Sequence, residues 1–140
     1  MPLPTRQGHF RLESGYHTDV WITLDALFTD LRGVAASVDH LAERLRPYDL
    51  AAICGPFVGG AFLALLLAER LNAKFVYTQP ADLDPGAMFG ARYSLTPELA
   101  RQVAGCRVAV VDDMISAGSS VRATIDAIQA ARASVVVETT

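Results

Sequence analysis

Two adjacent carboxylates, Asp112 and Asp113, directly follow the apolar residues 108–111. A continuous apolar run of this kind predicts a strand buried on both faces of a parallel sheet, and ligands of such sheets bind at the carboxyl ends of the strands. Carboxylates at that position can accept hydrogen bonds from neighbouring sugar hydroxyls or hold a hydrated magnesium ion. The acid pair therefore predicts a site for a diol, a magnesium ion or both.

A small, hydroxyl-rich loop follows the acids and leads into a helix that we expect to begin near Val121. Its serines supply hydroxyl donors, Gly118 permits a tight turn, and the free N–H groups at the helix start attract a phosphate. One ligand with a diol and a nearby phosphate would satisfy both halves, whereas an ordinary strand-to-helix turn accounts for only one half at a time. The candidate phosphate-binding residues are Ser116, Ala117, Gly118, Ser119 and Ser120.

A second unit of the same kind lies earlier in the chain. Residues 50–54 predict a short strand, and the largely apolar residues 61–71 predict a helix that ends at Asn72. The glycines between them would let main-chain N–H groups approach an anion closely, although a plain connection that needs glycine for packing remains the alternative. The residues of this loop are Gly55, Pro56, Phe57, Val58, Gly59 and Gly60.

Residues 108–120 resemble the phosphoribosyl pyrophosphate (PRPP) motif of type I phosphoribosyltransferases. The resemblance implies that Asp112 and Asp113 are catalytic residues that contact the ribose hydroxyls and hold Mg²⁺ indirectly, through water or PRPP. It also implies that residues 116–120 bind the 5′-phosphate and that residues 55–60 bind the pyrophosphate. In many orotate enzymes of this family a lysine stands within the pyrophosphate loop, and this chain has none there.

The amino-terminal residues 8–21 are similar to the hood segment that closes over the base in orotate phosphoribosyltransferases. Ser14 and Gly15 form a turn signal between two runs with strand character, residues 10–12 and 20–22. The resemblance implies that Ser14, Gly15 and His17 belong to a base hood spanning residues 1–25. A plain surface hairpin with a solvated histidine is the alternative, and Glu13 stands where some members have a lysine.

The segment 79–93 departs from the family. Members usually carry a mobile loop here, rich in cations that neutralise the departing pyrophosphate, whereas this segment is acidic and Arg92 is its only cation. We therefore expect Arg92 to take the catalytic role of meeting pyrophosphate. The only lysine of the chain, Lys74, begins the preceding strand and is better explained as a solvated strand end.

Composition narrows the class of protein. With 140 residues and 51% hydrophobic residues the chain is expected to form one domain, and a net charge of −3 disfavours nucleic-acid binding. Its longest apolar run falls far short of the roughly 20 residues that span a bilayer, so we expect a cytoplasmic protein with no membrane partner. Cys54 and Cys106 match neither a metal site nor a disulfide framework and are expected to be packed thiols.

The order of the predicted elements gives the fold class. A helix is expected over residues 30–45, followed by strand 50–54, helix 61–71, strand 74–77, a helix from Thr96 to Gly105, strand 108–111, helix 121–131 and strand 134–137. This alternation predicts an α/β fold in which a parallel sheet carries helices on both faces, Rossmann-like as in type I phosphoribosyltransferases, with the small hood added.

The carboxyl end also departs from the family. Relatives continue with further strands and a helix after the strand at 134–137, and these strands are missing from residues 1–140. We therefore expect the last strand to be a sheet edge or to be covered by a partner chain. A homodimer is expected, since the family typically forms one.

The functional hypothesis is transfer of the 5-phosphoribosyl group from PRPP to a nucleobase, with orotate preferred and pyrophosphate released. A purine or another base is the enzymatic alternative. A PRPP-binding regulator that lost the loop cations is the non-enzymatic one.

Overall fold

The computed structural model describes residues 5–12, 14–81 and 92–140 of the chain. A short hairpin comes first and an α/β unit follows. Two 3-10 helices, Asp25–Thr29 and Arg46–Tyr48, flank the first α-helix. The strands and α-helices, in chain order, are β1 Thr5–Arg11, β2 His17–Ile22, α1 Leu31–Leu45, β3 Ala52–Pro56, α2 Gly59–Leu71, β4 Lys74–Pro80, β5 Tyr93–Ser94, α3 Pro97–Val103, β6 Arg107–Val111, α4 Ser119–Ala130 and β7 Ser134–Thr139.

The main sheet has the strand order β5-β4-β3-β6-β7. The pairs β4–β3, β3–β6 and β6–β7 are parallel, which confirms the predicted parallel arrangement. One correction is needed, because β5 pairs antiparallel with β4 through Gln79–Ser94 and Pro80–Tyr93 and makes the sheet mixed. A strand of two residues is too short to produce a recognisable alternation in the sequence.

Helices cover both faces of the sheet, as predicted. In β3, Ile53 packs with α1 and α2, while Ala52 and Cys54 face α3 and α4. In β6, Ala109 and Val111 pack into the core on the α1–α2 side of the sheet. Val108 and Val110 pack into the core on the α3–α4 side. The alternation explains why both strands are apolar throughout, since each of their faces is buried.

The helix boundaries follow local capping. The Asp30 side chain accepts a hydrogen bond from the Gly33 N–H at 3.1 Å, and the Thr96 hydroxyl accepts one from the Leu99 N–H at 3.2 Å. Asn72 ends α2 in the left-handed conformation, with φ 51°. These starts and stops confirm the predicted helices 30–45, 61–71 and 96–105 to within a few residues.

The hairpin β1–β2 is antiparallel and confirms two amino-terminal strands, but both begin earlier than the predicted runs 10–12 and 20–22, and the first ends at Arg11. Most of its residues are exposed, and the Phe10 and Trp21 rings contact each other with centroids 5.7 Å apart. Glu13 lies outside the described residues. Whether this hairpin acts as a hood over a base stays a prediction.

Both cysteines pack against the core on the α3–α4 side, as predicted. Cys54 is fully buried, and burial raises the pKa of its thiol to about 12, so it stays protonated and unreactive at neutral pH. Cys106 is only half-buried. Across the described ranges, no helix combines the length and the hydrophobicity needed to cross a membrane.

Candidate functional site

Part of the predicted site, residues from the loop 55–60 together with the two acids and Ser120, meets where two strands end. Because β3 and β6 are neighbours in the sheet, the turns that follow them lie side by side at the same edge. A cavity of about 220 Å³ opens there. It is lined by Leu24, Pro56, Phe57, Val58, Gly59, Tyr93, Asp112, Asp113, Met114 and Ser120.

The turn after β3 is shorter than the sequence suggests. The predicted loop 55–60 is corrected, because β3 continues through Gly55 and Pro56 and α2 begins at Gly59. Only Phe57 and Val58 form the turn, and the Phe57 N–H donates to the Thr78 carbonyl at 2.7 Å. Glycine and proline read as loop residues in a sequence, whereas here tertiary pairing holds them in a strand.

Close packing explains the glycine at the end of β3. A Cβ atom on Gly55 would lie 2.0 Å from the Gly60 carbonyl oxygen, which belongs to the backbone of α2. No side chain fits in that space, because the first turn of the helix lies directly against the strand. Gly55 is therefore required for packing, while a pyrophosphate contact at this position stays a prediction.

The start of α2 lies directly against the two acids. A Cβ atom on Gly59 would lie 1.9 Å from Asp113 Oδ2, and one on Gly60 would lie 2.8 Å from Asp112 Oδ1. The glycines therefore let the amino terminus of α2 reach the carboxylates that end β6. The two strand-turn-helix units predicted separately from the sequence form one site.

Asp112 is the buried member of the acid pair, with 6% of its surface exposed. Its Oδ1 accepts a hydrogen bond from the Asp113 N–H at 2.9 Å, and its Oδ2 accepts one from the Ser120 hydroxyl at 3.0 Å. Burial, reinforced by the neighbouring Asp113 carboxyl, raises the pKa of Asp112 to about 7. Asp112 therefore exchanges a proton with solvent near neutral pH.

The loop after the acids leads into α4 with a left-handed glycine. Gly118 has φ 76° and is the N-cap of α4, and its conformation is one that glycine adopts without strain. No side chain caps the helix, so the first N–H groups of α4 are available to an anion. The helix begins at Ser119 rather than near Val121, which corrects the prediction and places Ser119 and Ser120 in its first turn.

The oxygen atoms of the two acids fit a magnesium ion that is coordinated mainly by the phosphates of a bound substrate. Asp112 and Asp113 offer oxygen atoms, which Mg²⁺ prefers, and Mg²⁺ commonly binds one or two carboxylates together with substrate phosphates and water. Within the described part of the chain, no cluster of three or more metal-binding side chains is present. Two carboxylates fill only part of the coordination shell of Mg²⁺, so substrate phosphates and water would supply the rest.

The three predicted hood residues are not among those that line this cavity. Ser14 and Gly15 form the tip of the hairpin, and His17 Nδ1 lies 2.6 Å from His9 Nε2. The chain reaches the site through Leu24, just beyond β2. The predicted roles of Ser14, Gly15 and His17 stay predictions.

Arg92 lies beside the site, next to Tyr93, which lines the cavity. The Arg92 carbonyl accepts a hydrogen bond from the Ala81 N–H at 2.9 Å, so the two ends of the acidic segment meet. Residues 82–91, on which the prediction of a mobile loop falls, lie outside the described residues. The catalytic role of Arg92 stays a prediction.

Sequence reasoning missed three residues that line the cavity: Leu24, Tyr93 and Met114. Met114 follows the acids directly, so its position in the motif could have indicated it. Leu24 and Tyr93 carry no such signal, because their closeness to Asp112 arises only from the arrangement of the strands.

A larger cavity of about 620 Å³ lies on the α1 side of the molecule. Most of its wall is apolar and comes from α1 and the preceding 3-10 helix, and it reaches Asp113 at one end. We assign the chemistry to the smaller cavity, because the acids, the hydroxyl of Ser120 and the amino terminus of α2 meet there.

Comparison with known proteins agrees with this geometry. Residues 26–139 match the family model of the phosphoribosyl transferase domain. Orotate phosphoribosyltransferase of Thermotoga maritima is 30% identical over 131 residues, which are 93% of this chain and 65% of that protein. The enzyme of the same name from Caldanaerobacter subterraneus is 27% identical over 123 residues, covering 88% of this chain and 60% of its own. The chain thus spans less than two thirds of the length of these relatives.

Solved structures show the same fold. Orotate phosphoribosyltransferase from Aeropyrum pernix superposes with a TM-score of 0.70 and 26% identity, covering 96% of this chain and 72% of that one. Adenine phosphoribosyltransferase from Trypanosoma brucei, in complex with AMP, pyrophosphate and ribose-5-phosphate, has a TM-score of 0.70 and 18% identity, covering 87% and 57%. The second likeness concerns the fold alone. With the family model matching most of its length, the chain belongs to the phosphoribosyltransferase family, type I.

Proposed function

We propose that the protein transfers the 5-phosphoribosyl group from PRPP to a nucleobase and releases pyrophosphate. The observation that carries the proposal is the contact between two units: the acids Asp112 and Asp113 lie against Gly59 at the start of α2 and beside the first turn of α4. One ligand with a ribose, a 5′-phosphate and a pyrophosphate would occupy all three features.

Each part of the site has a role in this reaction. The acids accept hydrogen bonds from the ribose hydroxyls and hold the sugar in place, and the amides of residues 116–120 bind the 5′-phosphate. The start of α2 at Gly59 and Gly60, which no side chain caps, presents its first backbone N–H groups to the pyrophosphate. A ring nitrogen of the base attacks C1 while the bond from C1 to the pyrophosphate oxygen breaks. The side chains of the site therefore only have to hold the two substrates in place, and no covalent intermediate with the protein is needed. A bound magnesium ion would supply positive charge to the pyrophosphate.

Orotate is the first candidate for the acceptor base. The supporting observation is that relatives named as orotate phosphoribosyltransferases match 93% of this chain at 30% identity. Adenine is the second candidate, because adenine phosphoribosyltransferase structures share the fold with TM-scores up to 0.70. That likeness is one of fold, so adenine ranks below orotate.

A regulator that binds PRPP without turnover is the alternative from another class. It is favoured by the charge of the site, because no lysine or arginine is among the described residues that line the cavity. Stabilising the charge of a leaving group is worth several kcal/mol in enzymes, so the missing cations bear directly on the rate.

A turnover screen separates these possibilities. The purified protein is mixed with PRPP, magnesium and one base at a time, and pyrophosphate release is followed. We expect release with orotate and little with adenine or other purines. Release with a purine alone would make that purine the acceptor in place of orotate. If a folded protein that binds PRPP releases no pyrophosphate with any base, the result would support the non-catalytic regulator.

Binding tests the ribose site independently of turnover. Calorimetry should detect PRPP or a nucleoside 5′-monophosphate in the presence of magnesium, and Asp113→Asn should weaken that binding. Asp126→Asn, which removes the same charge from an exposed position on α4, is the matched control and should leave affinity unchanged. A folded wild-type protein that binds neither ligand below millimolar concentration would contradict the proposal.

We also propose that the protein is a homodimer built on residues 1–140 as one domain, with residues 1–25 as the hood. The exposed face of α2 supports a partner, since Phe62 is 43% and Leu65 is 49% exposed, and Phe57 at the preceding turn is 51% exposed. A monomer in light scattering at tens of micromolar would contradict the dimer.

A further inference from the structure

Arg122 is a cation two residues after the phosphate loop 116–120, and the proposed function gives it no role. It lies in the first turn of α4, three residues after Ser119, and its backbone N–H donates to the Gly118 carbonyl at 2.9 Å. Its side chain is exposed. Side chains on a helix point back toward the amino terminus, so this guanidinium is directed toward the loop 116–120.

The guanidinium lies against the N-cap residue. Arg122 Nη1 would be 3.2 Å from a Cβ atom on Gly118, which is close to the distance of direct contact. Gly118 is the point at which the loop turns into the helix, and the free N–H groups of α4 begin there. The guanidinium of Arg122 therefore lies within a few ångströms of the amino terminus of α4.

Nothing else in the described part of the chain engages this side chain. No hydrogen bond or ion pair of the Arg122 guanidinium is present there, and Asp126, one turn further along α4, does not pair with it. By contrast, Arg70, Arg101 and Arg46 each form an ion pair with a neighbouring carboxylate. Arg122 thus keeps its donors available at a loop that lacks other cations.

We propose that Arg122 binds the 5′-phosphate of the ligand through charge-assisted hydrogen bonds, in addition to the amides of residues 116–120. The inference rests on the proposed function and deepens it, because it names a specificity determinant for phosphorylated ribose. Guanidinium groups present several donors in a fixed fork that matches phosphate oxygens. In a site without a lysine in its pyrophosphate loop, Arg122 supplies a charge from the opposite end of the ligand.

The experiment measures ribose 5-phosphate and PRPP affinity by calorimetry for wild type, Arg122→Ala and Arg122→Lys. We expect Arg122→Ala to weaken both ligands by about tenfold or more, and Arg122→Lys to recover part of the loss. The salt dependence of ribose 5-phosphate binding should become shallower in Arg122→Ala, because one charge contact is gone. A merely structural role would not change the salt dependence.

Arg32→Ala is the matched control. Arg32 is also an exposed arginine in the first turn of a helix, on α1, and forms no ion pair within the described residues. The Arg32→Ala variant should bind ribose 5-phosphate and PRPP as tightly as wild type does. Thermal unfolding of both variants checks that the fold is retained, which is expected because both side chains are exposed.

The outcomes separate two failures. If wild type binds ribose 5-phosphate and Arg122→Ala binds it equally well with the same salt dependence, the role of Arg122 is wrong and the proposed function stands. If folded wild type binds neither ribose 5-phosphate nor PRPP, both proposals are wrong. Equal weakening by Arg32→Ala would show a general charge effect and would also overturn the assignment.

Discussion

The β3–α2 and β6–α4 units have the same local architecture and opposite chemistry. Both begin with a strand buried on both faces, both turn at the same edge of the sheet, and both open a helix. Between Ala52 and Ala68 the first unit has no charged residue, whereas the second has Asp112, Asp113 and Arg122 around its turn.

The difference shows how one topology is used twice. In β3–α2 the backbone approaches the site, so the requirement is the absence of side chains, as at Gly55 and Gly59. In β6–α4 the proposed function assigns binding to side chains as well, so the requirement there is for particular charges and hydroxyls. Substitutions that add volume should therefore damage the first unit most, and substitutions that change charge should damage the second.

The largest effects are expected when a Cβ atom is added to the first unit. Gly55→Ala places it against the backbone of α2 and should destabilise the protein by about 4 kcal/mol or more, measured by urea unfolding. Gly59→Ala places it against the Asp113 carboxylate, a side chain that can move, so the fold should survive. Displacing that acid should weaken PRPP binding by about 100-fold, or about 2.7 kcal/mol.

Gly33→Ala is the control for the second of these variants. Its Cβ atom would lie 2.7 Å from Asp30 Oδ2, so it also collides with a carboxylate at the start of a helix, but with one that is not a member of the acid pair. PRPP affinity should be unchanged. If Gly59→Ala binds PRPP as tightly as Gly33→Ala does, the contact between the two units has no role in binding.

The next effect concerns charge in the second unit. Because burial raises the folded pKa of Asp112 from 3.8 to about 7, wild type should lose stability as pH rises from about 4 to about 7. Asp112→Asn avoids this penalty. Its stability relative to wild type should be near zero at pH 4, grow through pH 6 and level off above pH 7 at about 4 kcal/mol at most.

Urea unfolding at pH 4, 6 and 8 measures this difference. A difference that is constant across these pH values would mean that Asp112 titrates normally and that its neighbours do not perturb it. In wild type, magnesium-dependent PRPP binding should tighten as pH rises through about 7, because the ionised Asp112 carboxylate attracts the metal more strongly.

A smaller effect is expected for Arg92, the cation next to Tyr93 beside the cavity. If the proposed transfer occurs, Arg92→Ala should lower turnover by about tenfold or more, about 1.4 kcal/mol per factor of ten, and leave nucleotide affinity nearly unchanged. Lys74→Ala is the control, because the Lys74 ammonium donates to the Gln102 carbonyl away from the site. Turnover that is indifferent to Arg92→Ala would place the charge compensation on magnesium and backbone amides.

The smallest effect is expected for the hydroxyl that supports the buried acid. Ser120→Ala removes the donor to Asp112 Oδ2 and should cost about 1 kcal/mol of stability at pH 8, where the carboxylate is ionised. It should also raise the pKa of Asp112 further. Ser119→Ala, one residue earlier, serves as the stability control, and equal losses in both variants would argue against a specific hydrogen bond.

Most of the fold could be predicted because its signals are local. The apolar strand at 108–111, the caps at Asp30 and Thr96 and the stop at Asn72 depend on neighbouring residues, and the structure contains each of them. The errors fall where distant residues decide. Gly55 and Pro56 are strand residues only because β4 and β6 pair with β3, and β5 exists only because Tyr93 meets Pro80.

The sequence by itself determined the chemistry at the end of β6: two acids, a hydroxyl-rich loop and the start of a helix, in an order that indicates a diol and a phosphate. Tertiary structure alone decided that Gly59 lies against Asp113 and that Leu24 and Tyr93 complete the cavity. It also decided the raised pKa of Asp112. The reason is physical: residue types and capping act within a few positions of the chain, whereas burial and the approach of charges depend on which strands become neighbours in the sheet.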